Sequence, residues 1–289
     1  MVRERDTQYL LLTPGPLTTT RTVREAMMEE YSTWDVDYNN IVESIRNSLV
    51  RLAVRDDVNF DSFTSVLMPG SGTFSVESVV GSVIPPGGKL LVLNNGAYGA
   101  RVATISRMLG IETVELSQVE TELTNLNEVE KILMEDSAIS HVAMVHCETT
   151  TGMLNPAEAV GEIVRRLGRI YILDAMSSFG GIPISMESTG AHYLISSANK
   201  CVQGVPGFGF VIADRDQLES TKGLARSHSL DLYEQWREME SKGGKWRFTS
   251  PTHVVNAFAC ALEELDAEGG VEARHNRYLN NHKTLVAGM

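Results

Sequence analysis

The alternation of short apolar runs with amphipathic stretches most constrains the fold of this chain. Seven runs have the length and composition of buried strands: 64–68, 89–93, 113–116, 142–146, 170–173, 193–196 and 208–213. Helical patterns lie between several of them and after the last: 73–84, 97–109, 127–136, 157–167, 254–265 and 271–285. Such alternation predicts an α/β fold whose mainly parallel central sheet carries helices on both faces.

The composition excludes several classes of protein. The 289 residues are 43% hydrophobic, which is enough for one large α/β core or for a large domain with a small one. No apolar run reaches the ~18 residues of a membrane span, and residues 1–6 lack the apolar segment of a secretory signal. A net charge of −12 disfavours a nucleic-acid partner. Cys147, Cys201 and Cys260 have no metal-like spacing, so we expect a reducing, cytoplasmic setting and no metal.

Two polar groups follow neighbouring apolar runs. Asp174 ends the run 170–173, and Lys200 follows the run 193–196, 26 residues after Asp174. The carboxyl ends of strands in one sheet face the crevice where open α/β sheets bind ligands. Pyridoxal 5′-phosphate (PLP) needs both groups, because a lysine forms a Schiff base with its aldehyde and a carboxylate keeps its pyridine nitrogen protonated. The alternatives are a turn cap for Asp174 and a surface position for Lys200.

A glycine-rich turn, Pro69-Gly70-Ser71-Gly72-Thr73, lies between the first run and the first of these helical patterns. Free N–H groups at such a helix start bind anions, and the hydroxyls add donors. The turn therefore predicts a phosphate site, although a plain strand–helix turn is equally compatible with the motif alone. It has neither the Walker pattern nor the spacing of the dinucleotide fingerprint.

Two further segments follow strand ends. Tyr98 begins a helical pattern, where its ring could stack on a flat heteroaromatic cofactor or simply pack at a helix start. Thr149 belongs to a polar cluster whose hydroxyls could bond the phenolic oxygen of PLP or cap a turn. His146 and Glu148 lack a third metal ligand nearby, and we interpret them as a hydrogen-bonded structural pair.

Seven segments, taken in chain order, resemble the class V aminotransferase family of fold-type I PLP enzymes. They are 11–17 (LLTPGPL), 70–73 (GSGT), 95–99 (NGAYG), 146–152 (HCETTTG), 174–181 (DAMSSFGG), 196–201 (SSANKC) and 247–253 (RFTSPTH). The resemblance implies the fold-type I architecture over the chain to about residue 260. As a set, these segments are very specific for the family.

The resemblance also implies roles for individual residues. Lys200 would bond covalently to PLP and move a proton between substrate and cofactor, while Asp174 would pair with the pyridinium. Tyr98 would stack on the ring, and Thr149 would bond its oxygen. The other cofactor-binding residues implied are Ser71, Gly72 and Thr73 at the phosphate, Met176, Asn199, and Thr249 donated by the partner subunit of a homodimer with shared active sites.

The reaction implied is transfer of the amino group from 2-aminoethylphosphonate to pyruvate, giving phosphonoacetaldehyde and L-alanine in phosphonate degradation. Nearby cations for the phosphonate are Arg21, Arg24 and Arg101. The main alternative is an alanine– or serine–glyoxylate type of the same family. A cysteine desulfurase is less favoured because no cysteine loop lies late in the chain, and a Schiff-base aldolase would need no phosphate site. A catalytically impaired PLP-binding fragment is the alternative that is not an enzyme.

We expect three segments: an N-terminal arm (1–16), a large PLP-binding domain (17–265) and the start of a truncated C-terminal small domain (266–289). Members of the family continue into that small domain, which brings an arginine for the substrate carboxylate. The resemblance therefore implies that the small domain is largely absent here and that this arginine has no counterpart.

Overall fold

A computed structural model describes residues 9–55 and 57–289; the first half of the expected arm, residues 1–8, lies outside the described residues. In the described part, seven strands form one sheet in the order β1-β7-β6-β5-β4-β2-β3. The strands are β1 (Phe63–Pro69), β2 (Lys89–Asn94), β3 (Glu112–Ser117), β4 (Ile139–Val145), β5 (Ile170–Asp174), β6 (Tyr193–Ser197) and β7 (Phe208–Asp214). Each lies on one of the predicted runs, with its ends displaced by a few residues at most.

The sheet is mainly parallel, as predicted. Strands β3, β2, β4, β5 and β6 pair in parallel, whereas β7 runs antiparallel to both β6 and β1. The connection from β6 to β7 contains no helix, and a parallel return needs a crossover of a dozen or more residues. The short connection 198–207 therefore turns straight back at the carboxyl edge of the sheet, and it carries Lys200.

Six helices correspond to predicted patterns: α3 (Gly72–Val83), α4 (Ala97–Met108), α5 (Leu126–Glu135), α6 (Ala157–Arg166), α10 (Thr252–Ala267) and α11 (Gly270–Gly288). Five other helices were not predicted, nor was a 3₁₀ turn at Asp57–Ser62; the helices are α1 (Arg21–Ala26), α2 (Val36–Ala53), α7 (Met186–Thr189), α8 (Arg215–Glu219) and α9 (Leu232–Ser241). Among the described residues, no helix is long and apolar enough to cross a membrane.

The core lies on both faces of the sheet, and β4, β5 and β6 are buried along nearly their whole length. Helix α2 packs on β1 and α10 through apolar residues such as Val42, Ile45 and Leu49, spaced three or four apart. Burying both faces leaves the carboxyl edge as the place where polar side chains gather, because there the chain leaves the sheet and enters loops and helix starts.

Candidate functional site

One cleft at the carboxyl edge of the sheet brings together most of the predicted site residues. It encloses about 160 Å³ and is lined by Ser71, Gly72, Thr73, Val76, Tyr98, Arg101, Val102, Asp174, Met176, Ser197, Asn199 and Lys200. Eight of the ten predicted cofactor-binding residues are therefore in this cleft. The two that lie elsewhere are Thr149 and Thr249.

Asp174 ends β5 and is 5% exposed. Its Oδ1 accepts a hydrogen bond from the Met176 N–H at 2.9 Å. Burial raises the pKa of this carboxyl to about 6; the Met176 N–H opposes the shift and nearby Glu148 adds to it. No lysine or arginine of the described residues forms an ion pair with Asp174. Lys200 and Arg101 lower the pKa of Asp174 only slightly, from a distance. A buried carboxylate without an ion-pair partner is suited to a ligand that brings its own positive charge, such as a pyridinium.

Lys200 is also buried, in the turn after β6. Its methylene groups pack against Gly15 of the N-terminal arm: a Cβ atom on Gly15 would lie 2.6 Å from Lys200 Cδ. Gly15 has φ +148°, which residues with a side chain rarely adopt. The arm therefore closes one side of the lysine, and only glycine fits at this point of contact.

The glycine-rich turn leads directly into α3, as predicted. Ser71 is the N-cap of α3 but makes no side-chain capping hydrogen bond. The Phe74 N–H donates to the Ser71 carbonyl, so the N–H groups that this helix start offers to an anion are those of Gly72 and Thr73. The hydroxyls of Ser71 and Thr73 lie in the same cleft, so this helix start could hold a phosphate group.

Tyr98 is positioned by a buried carboxylate whose role the sequence analysis missed. Glu148 is fully buried and accepts the N–H groups of Tyr98 at 3.2 Å and Gly99 at 2.9 Å, which satisfies the start of α4. A Cβ atom on Gly96 would lie 2.6 Å from Glu148 Cδ, so the carboxylate fits only beside glycine. A glycine-rich helix start together with a lone strand-end glutamate was the available signal.

His146 and Glu148 do not form the pair that we expected. His146 Nδ1 bonds Ser178 Oγ at 2.9 Å, whereas the Glu148 oxygens bond the start of α4. The prediction is wrong because each side chain finds a partner on a different neighbouring element. Burial lowers the pKa of His146 to about 4, so this imidazole is neutral at pH 7.

Arg101 is the one member of the three predicted cations that lines the cleft. Its guanidinium lies over the Tyr98 ring, 4.6 Å from the ring centroid. It also donates to Thr73 Oγ1 at 3.3 Å. Arg21 pairs with Glu25 in α1 instead, and Arg24 donates to a backbone carbonyl near the same helix.

Thr149 and Thr249 lie outside the cleft. Thr149 Oγ1 bonds Ser177 Oγ, and both residues line a neighbouring cleft beside Cys201 and Gln203. Thr249 is exposed in the segment between α9 and α10. A single chain therefore does not bring Thr249 to the cleft that holds Lys200.

The donor set of the cleft fits PLP. The amine of Lys200 matches the aldehyde of PLP, and the buried carboxylate of Asp174 matches its ring nitrogen. The helix start matches the phosphate, and the Tyr98 ring matches a face of the pyridine ring. Apart from Thr149 and Thr249, every predicted cofactor-binding residue is available in this one cleft.

Comparisons with known proteins agree with this chemistry. The family model described as "Aminotransferase class-V" matches residues 9–289. The chain is 62% identical to 2-aminoethylphosphonate–pyruvate transaminase of Vibrio vulnificus, over 98% of this chain and 76% of that protein. It is 58% identical to the protein of the same name from Bacillus cereus strain AH820, over 98% of this chain and 77% of that protein.

Solved structures show the same fold at low sequence identity. Ureidoglycine–glyoxylate aminotransferase from Bacillus subtilis superposes with a TM-score of 0.88 at 22% identity, covering 99% of this chain and 73% of that one. Alanine–glyoxylate aminotransferase from Nostoc sp. has a TM-score of 0.86 at 23% identity, covering 98% and 75%. The predicted fold-type I architecture is therefore confirmed, and PLP is the cofactor that the matched family implies.

Proposed function

Because the chain belongs to the class-V aminotransferase family, we propose that it transfers the amino group of 2-aminoethylphosphonate to pyruvate, giving phosphonoacetaldehyde and L-alanine. The observation that carries the proposal is the buried, unpaired Asp174 beside Lys200 in one cleft. The names of relatives at 58–62% identity support the choice of substrates.

PLP bound here supplies an electron sink for the carbon that loses its proton. Lys200 would hold the cofactor covalently and then, as a free amine, move a proton at the substrate carbon. Asp174 would accept a hydrogen bond from the ring nitrogen and keep that nitrogen protonated. Met176 donates its N–H to Asp174 Oδ1 and so helps to fix the carboxylate.

The remaining residues would bind and orient the cofactor. Tyr98 would cover one ring face, and Thr149 would bond the ring oxygen. The others proposed to hold it are Ser71, Gly72 and Thr73 at the phosphate, Asn199 beside Lys200, and Thr249 from a partner subunit. Positioning of this kind lowers the entropic part of the barrier before any bond changes.

Arg101 is our candidate for binding the phosphonate. It lines the cleft beside Tyr98, and a guanidinium matches the geometry of a phosphonate well. A site built to pair a second anionic group leaves donors unsatisfied when that group is missing. The site should therefore favour 2-aminoethylphosphonate, which carries a phosphonate, over alanine or serine as the amino donor.

The first test of the function compares amino donors. The purified protein, loaded with PLP, is mixed with 2-aminoethylphosphonate, alanine or serine, and the visible cofactor band is followed before pyruvate or glyoxylate is added. We expect 2-aminoethylphosphonate to react about a hundredfold faster than the other two donors. Equal or greater turnover with alanine and glyoxylate would favour the alternative aminotransferase. A cofactor band that no amine alters would indicate a protein that binds PLP without turnover.

The second test locates the attachment of PLP. Borohydride reduction followed by peptide mass mapping should place a pyridoxyl group on Lys200. Lys222 and Lys245 are internal controls, since neither lines the cleft. A label on either of them would refute the assignment.

We also propose that the protein is a cytoplasmic homodimer in which Thr249 reaches the partner's cofactor. Exposed Phe248 beside it adds apolar surface for a partner to cover. The cysteines at 147, 201 and 260 are free thiols, which suits a reducing compartment. Residues 17–265 would form the PLP-binding domain and residues 266–289 the start of a small domain.

A further inference from the structure

The turn at residues 198–204, here called the Lys200 turn, is closed by two backbone hydrogen bonds. Gln203 N–H donates to the Lys200 carbonyl at 2.8 Å, and Gly204 N–H donates to the Ala198 carbonyl at 2.8 Å. Gln203 has φ 68° and is the only residue other than glycine with a positive φ in the part of the chain that the structure describes. A left-handed glutamine costs free energy, so the surrounding structure must hold this turn in place.

Arg274 of α11 provides that support. Its side chain is 2% exposed, and its Nη1 donates to the carbonyls of Cys201 at 2.8 Å and Val202 at 3.2 Å. Its Nε and Nη2 both lie 2.9 Å from Glu268 Oε2, at the end of α10. One buried guanidinium thus joins the two carbonyls that follow Lys200 to a carboxylate at the helix junction.

A second side chain of α11 contacts the same turn. Gln203 Nε2 donates to the Tyr278 hydroxyl at 2.7 Å. Tyr278 lies four residues after Arg274, so both side chains project from one face of the helix. His275 Nδ1 lies 3.1 Å from the Gly181 carbonyl, which ties the same helix to the loop after β5. Helix α11 is therefore docked onto the loops around Lys200.

We propose that Arg274 is a positioning residue for Lys200, an inference that rests on the role proposed above for that lysine. Arg274 does not line the cleft, so it acts on the lysine only through the turn. Hydrogen bonds from a charged donor are among the strongest in proteins, and here they hold the carbonyls of the two residues after the lysine. Catalysis depends on holding the reacting amine in place, and α11 thereby controls where that amine sits.

The test uses three variants of the full chain. Arg274→Met keeps an unbranched side chain but removes every donor, and Arg274→Lys restores a charge with a single donor group. Lys283→Met is the matched control, because Lys283 is an exposed cation on the same helix, nine residues beyond Arg274. Cofactor-free protein is mixed with PLP, and the visible band gives the rate of bond formation to Lys200. kcat and KM for 2-aminoethylphosphonate are then measured.

We expect Arg274→Met to slow bond formation about tenfold and to lower kcat more than it changes KM, because the amine is displaced while the substrate pocket is intact. Arg274→Lys should lower the rate of bond formation about threefold, and Lys283→Met should stay within about twofold of the parent rate. Partial rescue by lysine separates positioning from a general packing defect.

Parental rates in a folded Arg274→Met protein would overturn the inference. If that variant does not fold, the test rests on Arg274→Lys. A parental rate of bond formation in Arg274→Lys would then overturn the inference equally. Borohydride mapping of the parent protein separates failure of the proposed function from failure of this inference. An unlabelled Lys200 would refute the proposed function and this inference together, whereas a labelled Lys200 with parental rates in the variants would refute only the role of Arg274.

Discussion

At the scale of single residues, Asp174 opposes folding when no cofactor is bound. Its pKa is raised from 3.8 to about 6 by burial, so the folded chain holds the proton more tightly than the unfolded chain. Stability of the cofactor-free protein should therefore fall as pH rises from about 4 to 6 and then level off. In the proposed cofactor complex, a pyridinium beside the carboxylate would offset this cost.

Replacing Asp174 by Asn should remove this penalty. The amide can still accept the Met176 N–H but has no charge to bury, so the cofactor-free variant should be roughly 2–3 kcal/mol more stable than the parent at pH 8. The difference should shrink to about 0.5 kcal/mol at pH 4 and vanish below both pKa values. Urea unfolding at both pH values measures it, with exposed Asp61→Asn as the control that changes little. Equal stability of Asp174→Asn and parent at pH 8 would contradict the burial argument.

The sequence predicted Asp174 and Lys200 because each stands where an apolar run stops. Glu148 was harder to interpret, since its function depends on α4, which begins 51 residues earlier in the chain. No spacing within the sequence shows which helix start a buried carboxylate will meet. The contacts of Arg274 could not be predicted either, because they depend on how α11 packs against the Lys200 turn.

At the scale of elements, α4 depends on a carboxylate from another strand end for its start. Glu148→Ala would leave the buried N–H of Gly99 and the partly buried N–H of Tyr98 without an acceptor, which should cost about 2 kcal/mol of the free energy of unfolding. The variant should also bind PLP more weakly, because Tyr98 would lose its fixed backbone. Urea unfolding and cofactor titration measure both effects.

The matched control is Glu158→Ala, which removes an exposed acidic residue from the first turn of α6. It loses only a weak interaction with the helix dipole, so its effect should stay below about 1 kcal/mol. Similar losses in the two variants would mean that the buried hydrogen bonds of Glu148 add nothing to α4.

Most of the strands could be predicted because buried strands are continuous apolar runs, whereas the partly buried edge strand β3 was indicated by alternating polar and apolar residues. Helices α2 and α9 were missed, and buried polar residues interrupt the apolar face of each, Arg46 in α2 and Gln235 in α9. Arg46 is satisfied by the Ser65 carbonyl and by Glu240, partners that are remote in sequence. Helix α6 begins at Ala157, where its predicted pattern begins, and Asn155 just before it is held by Asn95 and the Val145 carbonyl.

At the scale of the whole molecule, a shared site predicts complementation between two inactive chains. If Thr249 serves the neighbour's cofactor, a mixed dimer of Lys200→Ala and Thr249→Ala chains contains one intact site and one doubly altered site. We expect mixing to restore about half of the activity of the parent dimer after correction for the fraction of mixed dimers. Each variant alone provides the control. No gain on mixing, in dimers shown by sedimentation to have exchanged subunits, would place Thr249 outside the partner's site.

The packing of Lys200 between Gly15 and the Lys200 turn has a consequence for biosynthesis. The arm that touches the lysine is made first, but Arg274 and Tyr278, whose side chains complete the turn, are made 74 and 78 residues after Lys200. A chain emerging from the ribosome therefore carries its reactive amine for many residues before that amine is held. If Lys200 binds the cofactor as proposed, its capture should be a late step of maturation, and reductive labelling of ribosome-bound chains of increasing length would time it.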